Sequence, residues 1–477
     1  MSREIRADYD QLLMFPPSVE DWIGPDHPAR FIRDFVDSLD LGVMGFRVEC
    51  SETGRPPYAA DLLLKAWLYG YLNRIRSSRK LEKACQEHMG LIWLTGMIAP
   101  DHNALWRFCH SNRQALSQVF KRSVQVARRC ELIGLVVHAL DGTKVQARSS
   151  RDRVKNAQKL EKMLERLDRS VADYMTEIER SEQEGTGEYR LPAGLQNGLR
   201  RKDKIQKALM ELEESGRKVV HHCEPEARFM KHRRSLELSY NAQAVADRDS
   251  GMIVAHDVVN EETDNGQLVP MLDLVVENLG AVAQETVADG GYFASSQIGL
   301  AQERKYEVLV NRSPGEEAAE RGCATDPYHA SRFIYDDDRD CCICPQGKDL
   351  PLLQRKKKGR NQSGIRRYRC RDYEQCPVRW ECSKSKHGRN IDISEHEGAL
   401  QRLREKREDP EKKKLLKARK SIIEPLFAWI KRILGFRRWT VWGLEGAKAQ
   451  WSMVCTVINL MKLYPHWITG RVAFTKS

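Results

Sequence analysis

The sequence contains no long apolar segment. None of its runs reaches the roughly 18 residues that a membrane-spanning helix needs, and the first residues, Met1 to Arg6, lack the apolar stretch of a signal peptide. Internal repeats and low-complexity tracts are also missing, apart from the basic run Arg355 to Lys358. These absences exclude a membrane protein and predict a soluble, cytoplasmic chain.

Acidic residues are in the minority among the charged ones. Lys and Arg number 79 against 67 Asp and Glu, which gives a net charge of +12 and a pI near 9.0. Such a balance favours a polyanionic partner, and nucleic acid is the first candidate. Hydrophobic residues make up 41% of the 477 residues, so the chain can fold into about three domains.

Outside one segment, cysteine is sparse. Of 13 cysteines, six lie between Cys341 and Cys382, and the odd total argues against a secreted disulfide framework. Thiolates in a cytosolic chain indicate zinc, although the spacings of five residues exceed the usual two to four. The predicted ligands are Cys344, Cys370, Cys376 and Cys382, with Cys341 or Cys342 as substitutes. Reduced, buried thiols are the alternative.

A second and weaker candidate for a metal site precedes the cysteine-rich segment. Its members are His221, His222, Cys223 and His232. Neither their spacing nor an apolar frame supports metal binding, so this cluster ranks well below the cysteines.

Hydrophobic periodicity divides the chain into four parts. Residues 1–130 have apolar positions at helical spacing and predict an all-helical, DNA-binding domain. Residues 131–310 predict strands and helices, interrupted at 150–220 by a helical hairpin whose apolar residues step by three and four. Residues 311–400 carry the cysteines and many basic residues and are interpreted as an insertion. Residues 401–477 are again helical and complete the core.

The strand order of the second part predicts the fold class, α/β (α+β). A buried strand over 132–140 ends at Asp141, a hairpin covers 238–259, and a strand over 285–288 ends at Asp289. With the helices between them, the order β, β, β, α, β, α, β suits a mixed sheet covered by helices. Both aspartates are then expected at carboxyl-terminal strand ends, where the sites of α/β proteins cluster.

Three acidic residues are the predicted magnesium ligands. Asp141 and Asp289 each precede a glycine, where no side chain blocks a ligand. Glu424 is the lone acidic residue of a long basic and apolar segment, and such a carboxylate is costly unless it is paired or binds a metal. Turn formation by the Asp-Gly pairs and pairing of Glu424 with lysine are the alternatives. Pro425 is expected to place Glu424 at a helix start or kink.

Five short motifs are spread over nearly the whole chain. They are Arg76 to Glu82, Asp141-Gly142-Thr143-Lys144, Tyr240-Asn241-Ala242-Gln243, Ala288 to Tyr292, and Glu424-Pro425 with Lys431. In these motifs the chain resembles DDE transposases of the insertion-sequence type. The resemblance implies a ribonuclease H-like mixed sheet with the two aspartates on its strands and the glutamate on a late helix, preceded by the helical domain and interrupted by the hairpin and the Cys-rich insertion.

The resemblance also implies a division of roles. The three acidic residues would bind Mg²⁺ or Mn²⁺ for phosphoryl transfer. The family pattern around the glutamate is Tyr, two residues, Arg, three residues, Glu, six residues, Lys. At those positions this sequence has Lys417, Lys420, Glu424 and Lys431. Lys431 and Lys420 are expected to contact DNA phosphates, although a solvated face explains Lys420 equally well.

Two basic segments are predicted to contact DNA as well. Arg76, Arg79 and Lys80 are expected within about two helical turns, beside serines that can cap a helix start. The second segment runs from Arg355 to Arg371 and interleaves cations with tyrosines such as Tyr368. A solvated charged surface is the alternative for both segments.

The sequence therefore predicts a DNA transposase that cuts the ends of a mobile element and joins them to target DNA, acting as a homodimer or higher oligomer on DNA. One alternative is a non-catalytic DNA-binding protein, either a degenerate transposase or a zinc-containing regulator. The other is a metal-dependent nuclease without strand transfer. Metal-dependent cleavage separates the first alternative from the prediction, and joining of cut ends separates the second.

Overall fold

The structure is a computed structural model. It describes residues 18–47, 56–183, 193–232, 235–336, 339–356 and 364–474. The chain divides into two compact units: one contains residues 1–126 and 452–477, and the other contains residues 127–451.

The first unit is helical. Its helices are α1 Pro28–Asp37, α2 Ala60–Leu72, α3 Ser78–Glu87, α4 Met89–Leu94, α5 His102–Ser111 and α6 Arg113–Arg129. Phe31 and Phe35 of α1 are buried, as are Leu64 and Leu68 of α2. Such spacings of four residues place side chains on one face of a helix. The helical character predicted for this region is confirmed.

The basic segment of the first unit is not one helical stretch, and the prediction of two continuous turns is wrong. Helix α2 ends in a turn in which the Ile75 N–H donates to the Gly70 carbonyl (2.7 Å). This bond closes the helix in the manner of a Schellman motif. Arg76 therefore lies in a loop, whereas Arg79 and Lys80 lie in the first turn of α3.

The second unit contains all the described strands. They are β1 Val137–Gln146, β2 Val154–Lys155, β3 Val220–His221, β4 Arg228–Lys231, β5 Leu236–Asp247, β6 Ile253–Val259, β7 Glu285–Ala288, β8 Val308–Val310, β9 Ile334–Asp336, β10 Cys341–Ile343, β11 Asp349–Lys356, β12 Ile365–Arg369 and β13 Asn390–Ser394.

Nine more α-helices occur among the described residues beyond α6. They are α7 Ala157–Gln183, α8 Ala193–Ser215, α9 Leu268–Leu279, α10 Ser295–Glu303, α11 Pro314–Thr325, α12 Arg379–Cys382, α13 Glu397–Glu408, α14 Pro410–Arg432 and α15 Leu444–Ile468, which continues past residue 451. In the part of the chain that the structure describes, no helix has the length and apolar character needed to cross a membrane.

Strand β1 is the centre of the main sheet. It pairs antiparallel with β5 and parallel with β7, while β7 pairs parallel with β8. On the far side, β6 and β4 pair antiparallel with different parts of β5. The order β6-β5-β1-β7-β8 agrees with the ribonuclease H-like sheet that the resemblance implied, and the predicted mixed α/β fold class is confirmed.

The predicted end of the first strand at Asp141 is wrong. Strand β1 begins at Val137 and continues past Asp141 to Gln146. Residues 141–146 remain in the sheet because the long strand β5 pairs with them. Their side chains are too polar to extend the apolar run that revealed the first half of the strand. Asp289, in contrast, directly follows the last residue of β7, as predicted.

Helices α7 and α8 pack against each other within the second unit. Their shared core consists of Leu160, Ile205, Ala208, Leu212 and Val220, with Met163, Leu164, Leu167 and Leu209 packed against it. Farther along α7, Tyr174 is 36% exposed, and the side chain of Ile178 lies outside the described residues. The described apolar contacts therefore lie near the β2–β3 pair.

The cysteine-rich segment forms a second sheet. Its five strands are antiparallel and follow the order β13-β12-β11-β10-β9. The core of this sheet consists of Phe333, Cys342, Leu350, Tyr368 and Ile391. The predicted DNA contact of Tyr368 is wrong, because its ring is fully buried there. The basic residues Lys357, Lys358 and Arg360 lie outside the described residues.

Helix α14 runs through Pro425 without interruption. It begins after Asp409, whose side chain accepts the Glu411 N–H (2.8 Å), and ends at Arg432. The predicted helix start at Glu424 is therefore wrong. Pro425 removes one backbone donor, but helix continues on both sides of it.

Candidate active site

Asp141 and Asp289 lie next to each other on neighbouring parallel strands. The pairing of β1 with β7 ends directly before the two aspartates. Each carboxylate accepts a backbone hydrogen bond from a glycine that follows it. Asp141 Oδ1 accepts from Gly142 (2.8 Å), and Asp289 Oδ1 accepts from Gly291 (2.9 Å). The structure thus brings two of the three predicted metal ligands together.

The charge of Asp141 is set by its surroundings. Burial raises the pKa of Asp141, Arg419 lowers it, and the negative charge of Asp289 raises it again, with a net value of about 6. A carboxylate that is partly desolvated beside a like charge favours binding of a proton or a cation. Such perturbed pairs are typical of functional sites.

Arg419 of α14 is the cation that contacts Asp141. Its Nη1 lies 3.1 Å from Asp141 Oδ2, and its side chain is only 8% exposed. The family pattern had placed an arginine at the position of Lys420, but Lys420 is exposed. The buried face of α14 includes Arg419, Ile423 and Ile430. Their spacings of four and seven residues place these side chains on one helix face, and this pattern identifies Arg419 as a buried residue of α14.

Glu424 lies on α14 between two residues that contact β1. Arg419 reaches Asp141, and Lys431 Nζ contacts Thr143 Oγ1. Glu424 and Lys431 are seven residues apart, which is close to two turns, so they share one helix face. The part of α14 that carries Glu424 therefore passes close to Asp141. The Glu424 side chain is exposed and makes no hydrogen bond or ion pair with any described residue.

The three predicted ligands are not gathered into a closed metal site. Among the residues that the structure describes, the one set of three His, Cys, Asp or Glu ligand atoms within 4.8 Å of one another is His221, His222 and Cys223. The aspartates are adjacent, and Glu424 stands apart from them. The lysine pairing considered for Glu424 does not occur among the described residues.

Sequence reasoning missed a further acidic residue, Asp264, in the loop between β6 and α9. Its Oδ1 accepts hydrogen bonds from Asn241 Nδ2 (2.6 Å) and Gln243 Nε2 (2.7 Å). Both amide residues are fully buried on β5. Buried amides require partners, so two such residues in the predicted strand were the signal for a polar group nearby.

Asp264 approaches both glycines that follow the aspartates. A Cβ atom at Gly142 would lie 2.5 Å from Gln243 Nε2 and 2.9 Å from Asp264 Oδ1. A Cβ atom at Gly291 would lie 2.9 Å from Asp289 Oδ1 and 3.6 Å from Asp264 Oδ2. Gly142 lies inside a strand, so close approach of these side chains, and not a turn, explains the absence of a side chain at this position.

Lys144 lies among the acidic groups of the site. Its Nζ is 3.5 Å from Asp264 Oδ1, and its side chain is 22% exposed. Burial lowers the pKa of Lys144, whereas the carboxylates of Asp264, Asp141 and Asp289 favour its protonated form. A partly buried ammonium group at this position can bind an entering phosphate.

The cations predicted to bind DNA in the first unit differ in exposure. Arg79 and Lys80 are exposed and make no ion pair with described residues. Arg76 is half-buried, and burial lowers the pKa of its guanidinium group. In the second unit, Arg366 and Arg367 of β12 form ion pairs within their own sheet, with acidic partners 3.2 Å and 2.6 Å away.

The four cysteines predicted to bind zinc all line one cavity. Each is half-buried, and none forms a disulfide within the described chain. Their proposed substitutes are placed differently, because Cys341 and Cys342 are buried in β10 and do not line this cavity.

Two family models match separate parts of the chain. The model described as Transposase DDE domain matches residues 343–464, and the model described as Transposase domain (DUF772) matches residues 17–111. No curated protein and no solved structure matches the chain. The two matches support an insertion-sequence DDE transposase, and the resemblance in the sequence is thereby confirmed. The DDE match includes Glu424 and ends well after it, whereas Asp141 and Asp289 precede it.

Proposed function

We propose that this transposase is a polynucleotidyl transferase that cuts the ends of a mobile DNA element and joins them to target DNA. The family matches support transposase function and suggest this class of enzyme. The observation that carries the proposal is the adjacent pair of Asp141 and Asp289, with Glu424 on the helix that packs against their strands. This is the order of acidic residues that the resemblance implied.

The donor set fits a hard divalent cation, Mg²⁺ or Mn²⁺. Carboxylate oxygens are the ligands these ions prefer, and they usually retain water and substrate phosphate as further ligands. Asp141 and Asp289 would provide the first two carboxylates, and Glu424 or Asp264 would provide a third. When bound, the ion supplies positive charge for phosphoryl transfer.

The basic side chains of the chain would orient the DNA strand at this pair. Lys144 is half-buried beside the carboxylates, and Lys431 lies on the same helix face as Glu424. Both can donate hydrogen bonds to a phosphate next to the scissile bond. Lys420, exposed on the same helix, would contact the backbone farther away.

DNA is the proposed partner, both as element ends and as target. The net charge of +12 supports a polyanionic ligand. A homodimer or higher oligomer on DNA is part of the proposal, because both ends of one element have to be processed together.

The test uses purified full-length protein, plasmid-borne element ends and Mg²⁺. Asp141→Asn, Asp289→Asn and Glu424→Gln are each expected to abolish cleavage and to leave DNA binding largely intact. Asp249→Asn, in an exposed turn of the same unit, is the matched control and is expected to cleave normally. Strand breaks and joined products are mapped by sequencing.

Each outcome of this experiment has a defined consequence. Full cleavage by one of the three variants removes that residue from the metal site. Cleavage without joined products supports the nuclease alternative, and DNA binding without metal-dependent cleavage by the unaltered protein supports the non-catalytic alternative.

A further inference from the structure

We propose that Cys344, Cys370, Cys376 and Cys382 bind one structural zinc ion that joins the elements of the second sheet. The four thiols come from separate places in the chain. Cys344 follows β10, Cys370 follows β12, Cys376 precedes α12, and Cys382 is the last residue of α12. All four nevertheless line the same cavity, whose volume is about 50 Å³.

The four thiols surround one cavity but are not at bonding distance from a common centre. No three of the sulfur atoms lie within 4.8 Å of one another in the described chain. Zn–S bonds are about 2.3 Å long, so binding would draw the thiols together into the cavity that they already surround.

The turn at Cys344 directs a backbone donor at the sulfur atom. The Lys348 N–H donates to Cys344 Sγ (3.3 Å), and the Cys344 N–H donates to the Lys348 carbonyl (2.9 Å). Gly347, with φ of 74°, allows the chain to fold back over the sulfur. This turn holds the Cys344 sulfur at the cavity that the other three cysteines also line.

The charges around the cavity suit a tetrathiolate site. Four thiolates and one Zn²⁺ carry a net charge of −2, which is unfavourable in a partly buried place unless cations are near. Lys348, Arg379 and Arg389 also line the cavity. Arg389 is fixed there, because its Nε donates to the Cys382 carbonyl (2.8 Å).

The thiols lie beside the hydrophobic core of the second sheet. This core has five buried side chains, with Cys344, Cys370 and Cys382 packed at its edge. A metal ion bound by the four thiols would cross-link the segments that follow β10 and β12 to α12.

The competing set, His221, His222 and Cys223, is less suited to zinc although its ligand atoms are closer together. His222 lies near the positive charges of Arg201 and Lys155. The same positive charges oppose a divalent cation. The three residues are also consecutive, and His221 Nδ1 already accepts the Cys223 N–H (3.3 Å).

The test measures metal in full-length protein purified under reducing conditions without chelator. Mass spectrometry of the elements should find close to one zinc ion per chain. Cys376→Ser and Cys382→Ser should each lose most of this zinc. Cys323→Ser, which alters a half-buried cysteine of α11 in the same unit, should retain it. Cobalt(II) in place of zinc should give the charge-transfer bands of metal-bound thiolates.

A second measurement on the unaltered protein covers the case in which the variants fail to fold. The four thiols should resist alkylation until a chelator is added, whereas Cys323 should react equally under both conditions. Absence of zinc together with absence of cobalt–thiolate bands would overturn the proposal. So would zinc that persists in both cysteine variants and is lost in His222→Ala, because the metal would then belong to the histidine cluster.

Discussion

At the residue scale, the proposed metal site depends on the charge of Asp141, one of its proposed ligands. Its pKa is about 6, so protons compete with a divalent cation for this carboxylate at pH values near and below 6. Asp289, on the adjacent strand, adds a like charge that strengthens this competition. Arg419 opposes the effect of Asp289, because its charge favours the ionised form.

We therefore expect the Mg²⁺ concentration needed for half-maximal cleavage to rise as the pH falls through about 6, which is the pKa of Asp141. Arg419→Gln removes the charge that lowers this pKa, so the pKa should rise and the loss of activity should begin at higher pH. The measurement is cleavage rate against Mg²⁺ at several pH values and constant ionic strength.

The control for this experiment is Lys417→Gln, which removes an exposed cation from the same helix. In this variant, the fall in cleavage rate at low pH should begin at the same pH as in the unaltered protein. Arg419→Gln and the unaltered protein could instead lose cleavage at the same pH. That result would show that the contact between Arg419 and Asp141 does not set the charge of the site.

At the scale of elements, strand β1 carries Asp141, a proposed metal ligand, and Gly142, whose lack of a side chain leaves space beside it. Gly142 lies inside the strand, and Asn241 and Gln243 of β5 hold Asp264 against it. Strand β1 thus positions Asp141 and Lys144, and strand β5 positions Asp264. Because the strands are rigid, a small displacement in this layer is transmitted to the carboxylates.

Gly142→Ala tests this arrangement. The added Cβ would lie 2.5 Å from Gln243 Nε2 and 2.9 Å from Asp264 Oδ1, so these side chains must move. Misplacement of a site by about 1 Å can cost on the order of 10²-fold in rate, and we expect a loss of that order in cleavage. Circular dichroism and thermal unfolding check that the fold persists.

The matched control is Gly134→Ala in the same unit, where the nearest side-chain atom would be at 3.8 Å, an ordinary contact. It should cleave at the normal rate. Normal cleavage by Gly142→Ala would mean that Asp264 and its amide partners have no part in positioning the site.

The elements also show what the sequence could and could not predict. Apolar runs and periodicity predicted the sheet strands near Asp289 and the helical character of both ends, because those residues face a core. The second half of β1 escaped prediction, since its polar residues face the site and are kept in the sheet by β5. Asp264 escaped as well, because a loop residue has no periodic signal and depends on distant partners.

In helix α14, too, the sequence pattern did not show which side chain points toward Asp141. The family spacing located Glu424 and Lys431, yet the arginine that contacts Asp141 is Arg419, one position before the expected Lys420. The buried face of the helix decides which side chain points inward, and a pattern of residue types does not contain that information. Reading the apolar positions of α14 as a helix face would have identified it.

At the scale of the whole molecule, the basic residues differ in whether they already form ion pairs with acidic residues. Many cations of the second unit already have acidic partners, such as Lys413 with Glu408 and Lys414 with Glu411, both at 2.7 Å. Cations that are paired in this way release few counterions when DNA binds. Arg79 and Lys80 of α3 are different, because they are exposed and make no ion pair with described residues.

The last prediction concerns these α3 cations, Arg79 and Lys80. If each neutralises one DNA phosphate, each contact releases condensed counterions, and the affinity for DNA falls steeply with salt. The double variant Arg79→Ala/Lys80→Ala should weaken binding to element ends and to unrelated DNA alike and should lower the salt slope by about two. The fold should survive, because exposed substitutions usually cost within about 0.5 kcal/mol. Lys413→Ala/Lys414→Ala, which removes two paired cations, should leave the slope nearly unchanged. An unchanged slope in the α3 variant would assign DNA docking to other basic residues of the chain.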